Sequence, residues 1–440
     1  MSYQLIALLM FASMMLMLVT GQRVFAALGA VATVFALLLW GKGAWDIPFH
    51  AVFVLMNWYA LLTLPMFIFM GYMFSESGIA DDLYRMFHVW MGPVHGGLAI
   101  GTMGLMIAIA AMNGLSVAGM AIGASIALPE MLKRDYDKVM ITGVVQGGSS
   151  LGIMVPPSVV LVLYGMIARQ PIGRLWLAGV FPGLLLGGLM IAYILIRCVL
   201  NPSLGPALSK EERQQIDWGE RFRLLSAGIL PLLIIFSMTG LFLLGVTSLV
   251  ECSAVGATAT IVAALIKGRL NRKVFVKTLR ETLSVSCMFM WIILAALGFS
   301  AVFDGLGAVH AIEFLFHQEW GLGRWEIIIL MQITFIVMGM FLDDTAMLII
   351  VAPLYVPLVT KLGFDPIWFG ILYTVTCQIA YMTPPFGYNL FLMKAMAPPE
   401  ISLGDIYRSI VPFVAIMMVG LVILMVFPQI ALWLPNLYFR

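Results

Sequence analysis

Charge is scarce in this 440-residue chain: Asp, Glu, Lys and Arg make up 10% of it, and hydrophobic residues make up 62%. Soluble domains run near a quarter charged and half apolar. No soluble core can absorb this much apolar surface, so lipid must be the solvent. Cysteine is scarce too. Cys198, Cys252, Cys287 and Cys377 each lie in or beside an apolar run, and none is spaced C-x-x-C. That argues against a disulfide framework or a zinc site. The histidines (His50, His88, His95, His310, His317) fall near the ends of apolar runs and show no ligand spacing. The chain has no Walker-type Gly-rich loop and no soluble nucleotide domain, so ATP is not its own energy source. A net charge of +2 suggests no nucleic-acid partner. The N-terminus lacks a basic leader region, and its first positive charge, Arg23, follows the apolar run. We therefore read 4–20 as a retained helix rather than a cleaved signal.

Apolar runs are what the sequence has in abundance. They cover approximately 4–20, 24–40, 52–75, 97–131, 139–170, 176–198, 224–246, 249–266, 283–303, 325–360, 368–397 and 408–434. A spanning helix needs about 20 apolar residues, so the chain has room for roughly ten plus shorter pieces. Four runs are interrupted. A polar tip, Asn113-Gly114-Leu115-Ser116, divides 97–131, and Asp343-Asp344-Thr345 divides 325–360. Proline pairs, Pro156-Pro157 and Pro384-Pro385, divide 139–170 and 368–397.

These interruptions recur in order. Adding 228 to the first set aligns Pro129 with Pro357, Lys133 with Lys361, Asp137 with Asp365 and Met154 with Met382. It also superposes the two proline pairs and puts Ser116 on Asp344. The chain therefore carries an internal repeat. Interrupted hydrophobic segments at corresponding places in two halves are the sequence pointer to a transporter's binding site. The arms of 97–131 and 325–360 are too short to span comfortably, so each pair reads as a re-entrant hairpin. Each proline pair removes amide donors and breaks its helix. Non-helical backbone at that depth survives only where protein buries it or it lines a polar cavity. The expected fold is an all-α polytopic membrane protein, an inverted repeat with two re-entrant hairpins and two broken helices.

Basic residues set the orientation. With the N-terminus outside, Lys42, Arg169, Arg174, Arg324, Lys361 and Arg440 fall outside, and the other 18 of the 24 Lys and Arg fall inside. The positive-inside rule favours this over its mirror image. Both termini are then periplasmic, the first hairpin enters from the cytoplasm, and the second enters from the opposite side. The expected division is scaffold helices in 1–96 and 224–304, a first transport repeat in 97–198, a cytoplasmic linker in 199–223, and a second repeat in 305–440. The linker is either a plain connector or an amphipathic surface helix.

The interruptions hold the candidate ligands. Amides, hydroxyls and unwound carbonyls are hard oxygen donors that suit an alkali cation, while half-helix N-termini attract anions. A first sodium site is expected from Asn113, Ser116, Gly148, Ser149, Gly152 and Pro156. A second is expected from Asp343, Asp344, Thr376 and Thr383. Asn113, Ser116, Ser158, Asp344, Thr345, Thr383 and Pro384 are the expected substrate contacts. Each has a bland alternative. Gly and Ser also let helices approach closely, proline kinks occur without ligands, and the acidic pair could solvate a shallow loop. Glu251, just after Val246-Thr247-Ser248, reads as a helix cap or an interface residue rather than a substrate contact.

Several motifs are similar to those of one family. Gly147-Gly148-Ser149-Ser150-Leu151-Gly152-Ile153-Met154-Val155-Pro156-Pro157-Ser158 resembles a Gly-x-Leu-Gly-Ile-x-x-Pro-Pro-Ser signature. The stretch from Gly363 to Gly370, followed by Thr383-Pro384-Pro385-Phe386-Gly387, resembles a second. Val246 to Glu251 resembles a Thr-Pro-Thr-Glu element from which Ser248 and Leu249 depart. Asn113 and Leu115 depart from the usual Ser-Gly-Ser-Ser first tip. The family is the large membrane (M) subunit of tripartite ATP-independent periplasmic (TRAP) transporters, and the resemblance covers essentially the whole chain. It implies a non-enzymatic, sodium-coupled importer in the bacterial inner membrane that carries a small organic anion, a carboxylate or sulfonate, by an elevator motion. It also implies two protein partners, a small four-helix membrane subunit and a periplasmic substrate-binding protein. The alternatives are a stand-alone sodium-coupled anion permease, a channel, and a membrane-embedded enzyme using Asp343 and Asp344.

Overall fold

The computed structural model describes residues 2–114, 116–207, 218–308, 314, 321–342, 344–385 and 387–439. The side chains of Pro48, Asn113, Val117, Ala118, Glu220, Thr345, Pro353, Leu354 and Tyr388 also lie outside the description. Among the described residues the chain is helical without strands, and six helices are long and apolar enough to cross a membrane. Many large apolar side chains are exposed, among them Leu38, Met56 and Leu200. In water such a surface would drive aggregation; in lipid it is the expected exterior.

Both interrupted runs near the polar tips fold as hairpins. The first pairs Gly97–Asn113 with a return arm that begins at Ser116 and ends at Leu132. The second pairs Arg324–Gly339 with Asp344–Lys361. Both proline-interrupted runs fold as broken helices. The first has arms Lys138–Ser150 and Val159–Ile167, and the second has arms Pro366–Tyr381 and Tyr388–Met396. The peptide bond inside each proline pair is cis. The repeat is visible at single residues. Asp137 and Asp365, aligned in the sequence, are both N-caps: Asp137 accepts from Met140 N at 2.8 Å, and Asp365 from Ile367 N at 2.7 Å. A capping carboxylate satisfies orphan amides at the helix start, so each half begins its broken helix by the same device.

The surrounding helices depart from a simple reading of the runs. The run 52–75 is not one helix. Asp46–Met56 ends where the Asn57 amide donates to Phe53 O at 2.8 Å, and Thr63–Glu76 follows after a short turn. A side-chain amide that bonds a nearby carbonyl competes with helix continuation. The run 408–434 also divides. Leu403–Val426 stops before Pro428, which has no amide N–H to donate, and Gln429–Tyr438 follows. The run 283–303 is the interior of a 34-residue helix, Arg272–Gly305. At 1.5 Å per residue such a helix is about 50 Å long, well beyond a hydrocarbon core of about 30 Å. Its first turns carry Arg272, Lys273 and Lys277, and Lys277 reaches Glu76 at 2.5 Å.

The linker clasps the base of the first repeat. Gly205 O accepts from Gly96 N at 2.8 Å, and Leu204 O accepts from Asp137 N at 3.1 Å. Its end is helical over Trp218–Leu225, and Trp90 Nε1 donates to Arg221 O at 3.2 Å. Residues 208–217 lie outside the description. Near the same base, the Tyr136 hydroxyl accepts from Leu98 N at 3.2 Å, and burial pushes its phenol up to about 12. Glu251 is a cap as expected: it accepts from Ser248 N at 2.7 Å while Ser248 Oγ accepts from Glu251 N.

Candidate functional site

Close packing brings the two halves of the repeat together. In the first broken helix, a Cβ on Gly147 would lie 2.5 Å from the Phe413 ring, so only glycine lets Leu403–Val426 sit this near. Gly370 of the second broken helix is placed likewise against Tyr164 of the first. Small residues are how helices approach in lipid, where burying apolar surface gives no advantage over leaving it to acyl chains.

The hairpin tips meet the breaks crosswise. Gly97–Asn113 ends on Gly114, whose φ is 65°, and Gly114 O accepts from Val159 N at 3.4 Å. The first tip therefore docks on the restart of the first broken helix. Ser116, 3% exposed, donates through Oγ to Asn389 Oδ1 at 3.1 Å, so the same tip also touches the second broken helix. Asp344, 4% exposed, opens the return arm of the second hairpin. Its carbonyl accepts from the Tyr373 hydroxyl at 2.5 Å. That return arm packs on Val159–Ile167, the exit arm of the first broken helix, as the first return arm packs on Tyr388–Met396. Each tip is thus held between both halves.

The remaining expected residues fall into distinct roles. Ser158 is a helix cap: its hydroxyl donates to Ile153 O and accepts from Leu161 N at 3.2 Å. Gly148 is a packing position, where a Cβ would lie 2.6 Å from Met106 Cγ. Gly152 and Pro156 are buried in the first break, whereas Pro384 is exposed in the second. Ser149 Oγ donates to Gln146 O at 2.9 Å, and Thr383 Oγ1 to Ile379 O at 2.6 Å. Thr376 Oγ1 bonds Gln332 Oε1 at 2.6 Å, tying the second broken helix to the second hairpin. Asp343 and the side chains of Asn113 and Thr345 lie outside the described residues.

These hydroxyls share a chemical state. A hydroxyl has one proton and two acceptor lone pairs. Ser116, Ser149, Thr376 and Thr383 each have the proton engaged by a protein oxygen. What they can still offer is lone pairs, the half of a hydroxyl that a cation uses. Among the described residues no cluster of three His, Cys, Asp or Glu could hold a metal ion.

Reading the sequence by its interruptions missed four buried amides: Gln146, Gln332, Gln378 and Asn389. Each sits within an apolar run, and that was the available signal, because polar groups at membrane depth are costly and tend to be functional. Tyr373 was also missed. Tyr373→Phe keeps the ring stacked on Tyr164 at 6.2 Å and removes only the hydroxyl bonded to Asp344 O. A typical hydrogen bond contributes about 1 kcal/mol net, so a small fall in unfolding temperature is expected in detergent, measured by scanning fluorimetry. An unchanged unfolding temperature would mean that this bond does not hold the second tip.

Comparisons with known proteins bear on this arrangement. Residues 11–430 match the family model described as "Tripartite ATP-independent periplasmic transporter, DctM component". The chain is 32% identical over 381 residues to the C4-dicarboxylate TRAP transporter large permease protein DctM of Pseudomonas aeruginosa, covering 86% of each. It is 26% identical to the isethionate TRAP transporter permease protein DctMQ of Oleidesulfovibrio alaskensis, covering 95% of this chain and 64% of that protein. Among solved structures it is similar to the Alcanivorax borkumensis YdaH transporter, with a TM-score of 0.64 at 14% identity over 98% of this chain and 99% of that one. The last similarity concerns the fold alone.

Proposed function

The chain belongs to the DctM component family of tripartite ATP-independent periplasmic transporters, as a large permease subunit and not an enzyme, and from that premise we propose that it imports a small organic anion, a carboxylate or sulfonate, in symport with sodium. The observation that carries this reading is the crosswise meeting of two hairpin tips and two broken helices, elements whose hydroxyls have their protons already engaged. Such oxygens suit sodium. The candidate donors are Ser116 and Ser149 in the first half, and Asp344, Thr376 and Thr383 in the second.

In this reading 97–198 and 305–440 move as a transport unit past scaffold helices in 1–96 and 224–304, and the linker 199–223 stays cytoplasmic. The anion arrives on a periplasmic binding protein, and a small membrane subunit steadies the scaffold in the inner membrane. The names of the relatives support this choice of cargo, since one carries C4-dicarboxylates and another isethionate. If more sodium charge enters than anion charge, the membrane potential contributes about 2.3 kcal/mol per net charge at 100 mV.

The test is uptake of labelled succinate and isethionate into proteoliposomes holding both membrane subunits, with the binding protein outside. Uptake is expected to require an inward sodium gradient and to rise with an inside-negative potential. Equal uptake in potassium-only buffer would rule out sodium coupling. Full uptake without the binding protein would favour a stand-alone permease.

A further inference from the structure

We propose that Asn389 is a substrate-contacting residue, whose side-chain N–H groups donate to an anionic oxygen of the transported solute; this rests on the anion-import reading above. Asn389 sits in the first turn after the second break and is 0% exposed. Its Oδ1 accepts from Ser116 Oγ at 3.1 Å, which fixes the plane of the amide. Its Nδ2 has no hydrogen-bond partner among the described residues. A buried donor without an acceptor is destabilising and is uncommon in folded proteins.

The repeat shows that the fold does not require an amide at this place. Counted from the proline pair, Asn389 corresponds to Leu161; counted from the helix start, it corresponds to Val160. Both are aliphatic and buried. The first half builds the same turn with an apolar side chain, so the amide in the second half answers to something other than folding.

The neighbouring chemistry indicates what it answers to. The Ser116 hydroxyl that touches it has its proton engaged, so it offers lone pairs and cannot readily donate to an anion. Asn389 Nδ2 is the complement, a donor with no acceptor among the described residues, held where the first tip meets the second broken helix. A carboxylate or sulfonate oxygen supplies the missing acceptor. Because Ser116 holds the other end of the amide, the donor is pre-oriented, and little ordering entropy remains to be lost on binding.

The test uses the purified membrane complex without binding protein, and reads the concentrations of succinate, isethionate and sodium that give half-maximal thermal stabilisation. Asn389→Asp keeps the acceptor for Ser116 and replaces the donor with a second oxygen. It should raise the half-maximal concentration of the bound anion at least tenfold without raising that of sodium. Asn389→Leu copies the first half of the repeat, adds no buried charge, and should raise the anion value similarly; it decides the matter if Asn389→Asp does not fold. Anion values within twofold of wild type in the folded variants would overturn the role of Asn389 and leave anion import standing. A shift in the sodium value instead of the anion value would make Asn389 a cation ligand and also overturn it. If the wild-type complex with its binding protein takes up neither anion but does take up a neutral or cationic solute, the import reading fails, and the role of Asn389 with it.

Discussion

Gly114→Ala is expected to reduce uptake to below a tenth of wild type, while the protein still inserts in the membrane. Gly114 has a φ of 65° and ends the first arm of the first hairpin. A side chain in this left-handed region is unfavourable by roughly 1–2 kcal/mol. The larger problem is space. A Cβ there would lie 2.3 Å from Pro157 O, which is backbone and cannot rotate away. The tip must lift off the first break, taking Ser116 away from Asn389. Gly188→Ala is the matched control. It lies inside the helix Ile172–Leu200, and a Cβ there would meet nothing within 4 Å. Alanine is favoured over glycine in a helix interior by about 1 kcal/mol, so that variant should transport normally. Proteoliposome uptake with quantified insertion checks both. Wild-type uptake by Gly114→Ala would mean that transport does not need this contact.

Asp344→Asn should impair uptake at least tenfold and raise the sodium concentration for half-maximal uptake, with the fold retained. The side chain is buried at the start of a helix, where removing its charge changes little of its shape. The backbone carbonyl that accepts from Tyr373 is untouched by the substitution. A buried carboxylate is costly unless other groups compensate it, and a bound sodium ion would do so. Asp343→Asn should have the smaller effect, because Asp344 and not Asp343 aligns with Ser116. Normal sodium dependence in Asp344→Asn would remove Asp344 from the ion site.

Much of the architecture was legible because lipid imposes strict rules. An arm too short to span, closed by a polar tip, has few options besides a hairpin. A proline pair within an apolar run has few besides a break. The alignment of Asp137 with Asp365 was read as repetition, and the structure gives it a cause, since both cap the helix that leads into a break. Less legible were boundaries that depend on one local competition. Asn57 and Pro428 each end a helix inside a run of unbroken hydrophobicity. Hydrophobicity reports the solvent and not the hydrogen bond that stops a turn.

The sequence by itself determined the solvent, the helical class, the two hairpins, the two breaks and their repetition. Composition, length and proline placement carry those, and none depends on which segment touches which. The tertiary structure alone decided that the tips meet the breaks crosswise, Ser116 on Asn389 and the second return arm on Val159–Ile167. It also separated Ser158, used as a cap, from Ser149, whose oxygen still has lone pairs to offer. Residue type fixes how many protons and lone pairs a side chain has. Which of them remain unspent depends on neighbours as much as 273 positions away in the chain, and only folding brings those into reach.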